Sequence, residues 1–252
     1  MAPPDSFRVE YQINPWMNPD SQLDTVLAKQ QWHELYGTYL KLGVTVQIMP
    51  VAPLADYVFA ADGSLTIGNK TMLANFRYQE RAPEVDYHRL FSSDRSFGSP
   101  ASHFEGGDAL VWNGKILLGF GFRSQQAAAD ELADFFHTEV IALELADPKF
   151  FHLDTAMTVL SDKYIAYYPP AFSATARQTL ANLPVTLVEA TANDADQFGM
   201  NSVVIGQTIL MAPQATALAQ RYKSLGFEIT PLDTSEFQKS GGGIKCLSNI
   251  LY

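Results

Sequence analysis

The stretch ALVWNGKILLGFG, from Ala109 to Gly121, reads as two apolar strands joined by Asn113-Gly114, a pair that two-residue hairpin loops favour. Three other segments share this form: SLTIGNKTMLANF at 64–76, MTVLSDKYIAYYP at 157–169 and SVVIGQTILMAP at 202–213. Their turns fall at Gly68-Asn69, Ser161-Asp162 and Gly206-Gln207. Successive hairpins begin 45, 48 and 45 residues apart, which marks an internal repeat.

The segments after the hairpins repeat as well. Gln125 to Phe136, Ala174 to Leu183 and Gln214 to Leu225 carry apolar residues at helical spacing, and Glu80 to Phe91 is a poorer counterpart interrupted by Pro83. Strands are predicted next at Glu139 to Glu144, Val185 to Glu189 and Phe227 to Pro231. The unit is strand, strand, helix, strand. The chain ends supply a fifth. Ser21 to Leu42 predicts a long helix, with Ser21 and Asp24 as an S-x-x-D start, and Val44 to Val51 the strand after it. Phe7 to Ile13 and Ile244 to Tyr252 then predict the hairpin of that unit. Five such units close on themselves and remove free sheet edges. The predicted fold class is α/β, a fivefold pseudosymmetric propeller of ββαβ units in a single domain, residues 1–252.

Composition narrows the function. A chain of 252 residues, 47% hydrophobic and 17% charged, can bury one substantial core. Seventeen basic against 27 acidic side chains give a net charge of −10, the reverse of what a phosphate-tracking nucleic-acid binder carries. Such a balance suits a cationic small molecule. Cys246 is the single cysteine, which excludes an internal disulfide framework and a multi-cysteine zinc site. No apolar run approaches the roughly eighteen residues of a membrane span, and MAPPDSFRVE lacks the basic and apolar regions of a secretory leader. The expectation is a cytoplasmic protein without nucleic-acid or membrane partners. A homo-oligomer is compatible with the sequence.

Polar residues gather at one phase of the repeat, just before each hairpin. They are Asp56 to Asp62, then Phe104-Glu105-Gly106-Gly107-Asp108, then His152-Leu153-Asp154, then Phe198-Gly199-Met200-Asn201, and finally Gly241-Gly242-Gly243-Ile244-Lys245-Cys246. If rotation relates the units, these positions meet around one axis. Singly, each has a bland explanation: a lone cysteine is usually a small buried hydrophobe, and short carboxylates cap turns. Five coincidences at one phase favour a catalytic site. A thiol near a histidine can attack an electrophilic carbon while the imidazole moves protons. Surrounding carboxylates disfavour an acyl or phosphoryl substrate, whose developing negative charge needs donors. They suit a planar cation such as a guanidinium, which has five donors and one electrophilic carbon.

Phe104 to Asp108, His152-Leu153-Asp154 and Gly241 to Cys246 together resemble the guanidine-modifying, or pentein, superfamily over nearly the whole chain. That superfamily includes arginine deiminases, dimethylarginine dimethylaminohydrolases, arginine dihydrolases, agmatine deiminases and amidinotransferases, and its fold is a ββαβ propeller. The resemblance implies that Cys246 is the nucleophile of a covalent thiouronium-type intermediate and His152 the general acid and base. It implies that Glu105 orients the histidine or contacts the guanidinium. Asp62 and Asp154 match carboxylates that grip the guanidinium, Arg81 and Arg123 match cations for a substrate carboxylate, and Asp56 supports the loop or a substrate nitrogen. It implies no metal and no organic cofactor.

The resemblance divides over the subfamily. The chain is too short for the extra helical domain of typical arginine deiminases. Methylarginine hydrolases commonly lack a carboxylate where Asp154 stands. Tyr11 to Met17 resembles the opening of arginine dihydrolases, in which the asparagine, here Asn14, lies near the substrate. Those dihydrolases carry Asn in a Phe-Thr-Ala-Asn sequence where this chain has Phe59-Ala-Ala-Asp62. The implied activity is hydrolysis of a guanidinium C–N bond in arginine or N-methylated arginine, giving citrulline plus ammonia or alkylamine. The alternatives are dihydrolysis to ornithine, amidino transfer, and a non-catalytic propeller that binds an arginine-like ligand or a protein. The segments Met17 to Ser21 and Ser92 to Ser102 are candidate lids or ordinary surface loops.

Overall fold

The structure, a computed structural model, describes all 252 residues. A long helix comes first, α1 (Thr25–Lys41). Its N-cap is Asp24, whose side chain accepts hydrogen bonds from the amides of Val26 and Leu27. Ser21 plays no part in that cap. Asp24, just ahead of the apolar stripe of Ala28, Trp32 and Leu35, sits where a short carboxylate meets the free amides of the first turn.

Four sheets of three strands come next. The first holds β1 (Ser64–Ile67) and β2 (Lys70–Leu73), then α2 (Glu84–Phe91) and β3 (Ser96–Gly98). The second holds β4 (Ala109–Trp112) and β5 (Lys115–Phe120), then α3 (Ala128–Phe136) and β6 (Val140–Glu144). The short α4 (Leu153–Ala156) leads into β7 (Met157–Ser161) and β8 (Tyr164–Tyr167), followed by α5 (Ala174–Ala181) and β9 (Thr186–Glu189). Then α6 (Ala192–Asp196) leads into β10 (Val203–Ile205) and β11 (Thr208–Met211), with α7 (Thr216–Ser224), β12 (Glu228–Pro231) and α8 (Ser235–Gln238) completing the chain. In every sheet the middle strand pairs antiparallel with the first and parallel with the third. The helix between second and third strands is the crossover that a parallel pair requires.

Turn chemistry accounts for the hairpins. Asn113 and Gly114 both take positive φ, 48° and 73°, the backbone twist that matches two antiparallel strands. The turns at Gly68-Asn69 and Gly206-Gln207 also fall where expected, between Ile67↔Lys70 and Ile205↔Thr208. The third turn differs. A register irregularity between Val159 and Ser161 lets Ser161 pair with Tyr164, so the loop is Asp162-Lys163 rather than Ser161-Asp162. Pro83 does not spoil α2 but stands at its N-cap, where a missing amide hydrogen costs nothing. β3 lies inside Ser92 to Ser102, a segment whose composition suggests only a lid or a surface loop. Its three residues are largely exposed and carry no period, so only pairing with β2 makes them a strand.

The fifth unit is incomplete. Val44 to Val51 forms no assigned strand, and Phe7 to Ile13 does not pair with Ile244 to Tyr252. The C-terminal segment instead touches β1 through a single parallel bridge, Thr66↔Leu251. Phe7 packs on the rings of Phe59 and Phe237, within the core that α1 covers. Adjacent cores lie between sheets and helices: Leu117, Leu153 and Ile165 belong to one, Ile209, Leu218 and Tyr222 to another. Each fully buried leucine or isoleucine contributes about 1.5–3 kcal/mol against exposure. No helix is long and apolar enough to cross a membrane.

Candidate active site

In the four complete units, the polar phase sits at the turn leading into the first strand. Asp62 belongs to a short 3-10 turn before β1, Asp108 to another before β4, and Asp154 to α4 before β7. Asn201 stands just before β10, and Cys246 precedes the C-terminal segment. The structure brings Asp62, Asp154 and Cys246 together: one carboxylate oxygen of each aspartate and the sulfur all lie within 4.8 Å of one another. Such a trio can seat a planar cation between its oxygens, or ligate a divalent ion.

Cys246 is buried, and its Sγ lies 3.6 Å and 3.7 Å from the two Asp154 oxygens. Burial pushes the thiol well above its ordinary value, and the nearby Asp154 and Asp62 charges push the same way. The resting group is therefore a thiol. Burial also raises Asp154, to about 6, despite the opposing Lys245 charge.

His152 is held by Glu105. Its Nε2 is 2.8 Å from Glu105 Oε2, while Nδ1 has no hydrogen-bond partner and faces Asp62 Oδ1 at 3.5 Å. Burial alone would lower the imidazole. Asp62 and the Glu105 hydrogen bond prevail and lift it to about 9, so His152 is an imidazolium at neutral pH. Glu105 feels the converse: burial opposes ionisation, but Arg123 and His152 hold it well below the usual carboxylate range. Gly107 makes the encounter feasible. A Cβ there would stand 2.5 Å from Asp62 Oδ1 and 2.8 Å from His152 Nδ1.

The remaining expected residues line the same cavity. Arg81 is buried, bidentate to Glu84 at 2.8 Å on each oxygen and 2.6 Å from Asp62 Oδ2. Arg123 donates to Glu105 at 2.9 Å and to the Ile13 carbonyl at 3.1 Å, between the rings of Tyr78 and Phe151. Both arginines therefore neutralise carboxylates here. Asp56 accepts from Tyr11 Oη and Ser240 Oγ, and burial raises its carboxyl. Asn14 accepts from the Trp16 and Met17 amides and donates to the Ser240 carbonyl, clipping its own segment over the site. Of the two candidate lids, Met17 lines the cavity, whereas Ser92 to Ser102 contributes no lining residue.

That cavity is shut, with about 10 Å³ of room. An open depression of about 470 Å³ adjoins it, sharing Ile13, Asn14, Arg123 and Phe151. Trp16 anchors the covering segment: its indole donates to the Lys149 carbonyl at 2.8 Å, and the Lys149 ammonium lies 4.7 Å from its ring.

Two residues outside the expected set stand out. Asn201 donates to Cys246 Sγ at 3.1 Å and to the Asp154 carbonyl at 3.0 Å, and its oxygen accepts from the Lys245 and Cys246 amides. Its signal was positional, since it occupies the phase of Asp62, Asp108 and Asp154. Asp108 ties the segment after β5 to the start of α4 by accepting from the amides of Ser124 and Leu153.

A repeat of hairpin, helix and parallel strand thus surrounds a buried cluster of Cys246, His152 and carboxylates. The profile of a family described as "N,N dimethylarginine dimethylhydrolase, eukaryotic" matches residues 4–251, and the chain belongs to that family. The N(G),N(G)-dimethylarginine dimethylaminohydrolase of Mycobacterium tuberculosis is 39% identical over 98% of this chain and 83% of its own length. The bifunctional arginine dihydrolase/ornithine cyclodeaminase ArgZ of Synechocystis is 33% identical over 98% of this chain, which spans 37% of that longer protein. The N-terminal domain of ArgZ, solved with product bound, superposes with a TM-score of 0.94, covering 98% of this chain and 94% of that domain. A dimethylarginine dimethylaminohydrolase only 16% identical superposes at 0.75 over 90% of this chain and 92% of the other, which shows the shared fold.

Proposed function

We propose that the protein hydrolyses a guanidinium C–N bond of arginine or an N-methylated arginine through a covalent bond to Cys246. The observation that carries this is the convergence of Cys246 with Asp154 and Asp62, beside the His152 imidazolium, in one buried cluster. Asp62 and Asp154 hold the guanidinium beside the thiol. The cation offsets the carboxylate charges that keep the thiol protonated, and the thiol proton passes to Asp154 as sulfur bonds to the guanidinium carbon. His152 gives its Nδ1 proton to the departing ammonia or alkylamine. The neutral imidazole then takes a proton from water, whose oxygen bonds to the same carbon. Collapse breaks the C–S bond, Asp154 returns its proton to the sulfur, and the hydroxyl proton of the intermediate leaves on the released amine as ammonium, giving citrulline and the thiol. Arg123, between the outer depression and the inner cavity, is placed to meet a substrate carboxylate once Glu105 shares it. The shut cavity must open for substrate to enter. We also read the four sheets and the α1 region as five units of a closed propeller.

Dihydrolysis to ornithine is the second reading, favoured by Asn14 and by the likeness to the ArgZ domain. The test is a product assay with arginine, asymmetric dimethylarginine and agmatine, run beside Cys246→Ser. Citrulline from dimethylarginine alone assigns methylarginine hydrolysis, citrulline from arginine alone assigns a deiminase, and ornithine assigns a dihydrolase. No product from any of them rejects the proposal in favour of a binding protein.

A further inference from the structure

Most carboxylate oxygens around Cys246 and His152 already have a donor inside the protein. Glu105 accepts from the Arg77 amide, from Arg123 and from His152. Asp108 accepts from two backbone amides, and Asp56 from Tyr11 and Ser240. Asp62 Oδ2 is taken by Arg81, which Glu84 grips in turn. Three oxygens are left over: Asp62 Oδ1, buried and without a partner, and the two of Asp154, whose only donor is the Cys246 thiol at 3.6 Å and 3.7 Å. His152 Nδ1, 3.5 Å from Asp62 Oδ1, does not close a hydrogen bond to it.

A buried carboxylate oxygen without a donor is costly, so these three select a ligand that brings N–H groups to both aspartates at once. One oxygen of each aspartate lies within 4.8 Å of the other and of the sulfur, close enough for one small planar group to meet both. The guanidinium of arginine carries five N–H donors in one plane, and both of its terminal nitrogens are NH2. In asymmetric dimethylarginine one terminal nitrogen has no hydrogen, and two methyl groups would face a carboxylate left without donors. The walls give no slack for those methyls. A carbon added at Gly107 would stand 2.5 Å from Asp62 Oδ1, and one at Gly242 would stand 2.3 Å from the Phe59 ring. Phe59 and Gly242 both line the shut cavity.

Building on the hydrolase reading above, we propose that Asp154 and Asp62 determine specificity by selecting a guanidinium whose two terminal nitrogens are both unsubstituted, so that arginine is the substrate and N-methylated arginines are rejected. Asp62 is the fixed wall, held by Arg81 with one oxygen left free. Asp154 is the selector, since its oxygens meet no donor but the thiol until a ligand arrives. The leaving group is then ammonia. The chain thereby departs from the substrate in its family's description. A site built to hydrogen-bond its substrate rejects an analogue lacking those hydrogens by about 10⁴-fold or more, because its own buried groups go unpaired.

Competition in one vessel tests this. Isotopically labelled arginine and unlabelled asymmetric dimethylarginine are supplied at equal concentration, and the citrulline or ornithine from each is counted by mass, so the fraction of active protein cancels. Labelled product should exceed unlabelled by about 10³-fold or more. Asp154→Ala should slow both reactions and bring the ratio within about 10-fold, whereas a merely structural role would slow both and leave the ratio unchanged. The Asp154 side chain accepts from no backbone amide, so the variant strands no donor and should fold. An unchanged ratio in the variant, or unlabelled product equal to or above labelled in the native chain, overturns the proposal and leaves the hydrolase reading intact. No product of either kind from the native chain rejects the hydrolase reading instead. Where neither compound turns over, calorimetry on Cys246→Ser, with and without Asp154→Ala, reads the same selection. Arginine should then bind at least ~10-fold tighter than dimethylarginine only when Asp154 is present, and equal or reversed affinities overturn the proposal.

Discussion

The Cys246 sulfur lies 3.6 Å from an Asp154 carboxylate oxygen, with both side chains buried. A thiol so placed is hard to ionise, because the thiolate would face a like charge without water. A bound cation removes that penalty, so nucleophilicity and substrate recognition become one electrostatic event. A cationic electrophile such as chloroacetamidine should therefore alkylate Cys246 at least ~10-fold faster than neutral iodoacetamide, after correction for their rates with a free thiol. Mass spectrometry after short exposures decides it, and equal corrected rates would remove the carboxylates from the nucleophile's activation. Cys246→Ser should retain the fold and lose activity by on the order of 10³-fold or more.

Activity should trace a bell in pH. Asp154, raised by burial to about 6, must be ionised to hold the guanidinium, and His152, lifted by Asp62 and Glu105 to about 9, must be protonated to release the leaving group. The expected kcat/KM rises through about 6 and falls through about 9. A profile still rising beyond about pH 10 would show that His152 is not the acid.

Stability should fall on balance as pH rises from about 5.5 to 9, because the opposite pull of His88 and the Met1 amine, both lowered by burial, is the smaller. Burial raises Asp108 and Glu84 to about 7, from 3.8 and 4.5, so the native state keeps protons that the unfolded chain has released. His152, raised from 6.5 to about 9, acts with the same sign. Their contribution is fully present below the unfolded values and is lost as pH rises through the folded ones. Tm should be lower at about pH 9 than at about pH 5.5. Each ~1 kcal/mol lost corresponds to about 2–4 °C in a chain of this size.

Gly107→Ala should separate folding from catalysis. Its φ is not positive, so the backbone accepts alanine, but the methyl would collide with Asp62 Oδ1 and His152 Nδ1. Displacing that pair by about 1 Å should cost on the order of 10²-fold in kcat with secondary structure unchanged. Full activity would show that the spacing of Asp62 and His152 is unimportant.

Asn201 offers a finer distinction. Asn201→Ala leaves the Cys246 loop amides and the Asp154 carbonyl unsatisfied, at a cost of about 1–3 kcal/mol. Asn201→Asp keeps the acceptor oxygen but replaces the donor to sulfur with a negative charge. That variant should fold while its alkylation limb moves to higher pH. An unmoved limb would reduce Asn201 to a structural clip.

The features legible in the chain are local ones. Asn113-Gly114 and the helix periods act over a few residues, so the hairpins and α3, α5 and α7 can be read directly. The phase that collected Asp62, Asp154 and Cys246 also carried Asn201, yet an uncharged amide drew no chemical attention. Long-range pairing was hidden. β3 exists only because β2 lies beside it. The ion pairs of Arg81 with Glu84 and Arg123 with Glu105 depend on the packing of turns that no periodicity describes.

Trp16 gives the shut cavity an optical handle. The other tryptophans, Trp32 and Trp112, are buried at 5% and 2% exposure in cores that substrate does not reach, whereas Trp16 rides on the segment covering Cys246. Its ring sits beside the Lys149 ammonium and the Phe198 ring, both of which it leaves if that segment lifts. The emission of a single residue would then report each opening and resealing of the chamber, turning admission of substrate into a fluorescence transient that stopped-flow mixing can time.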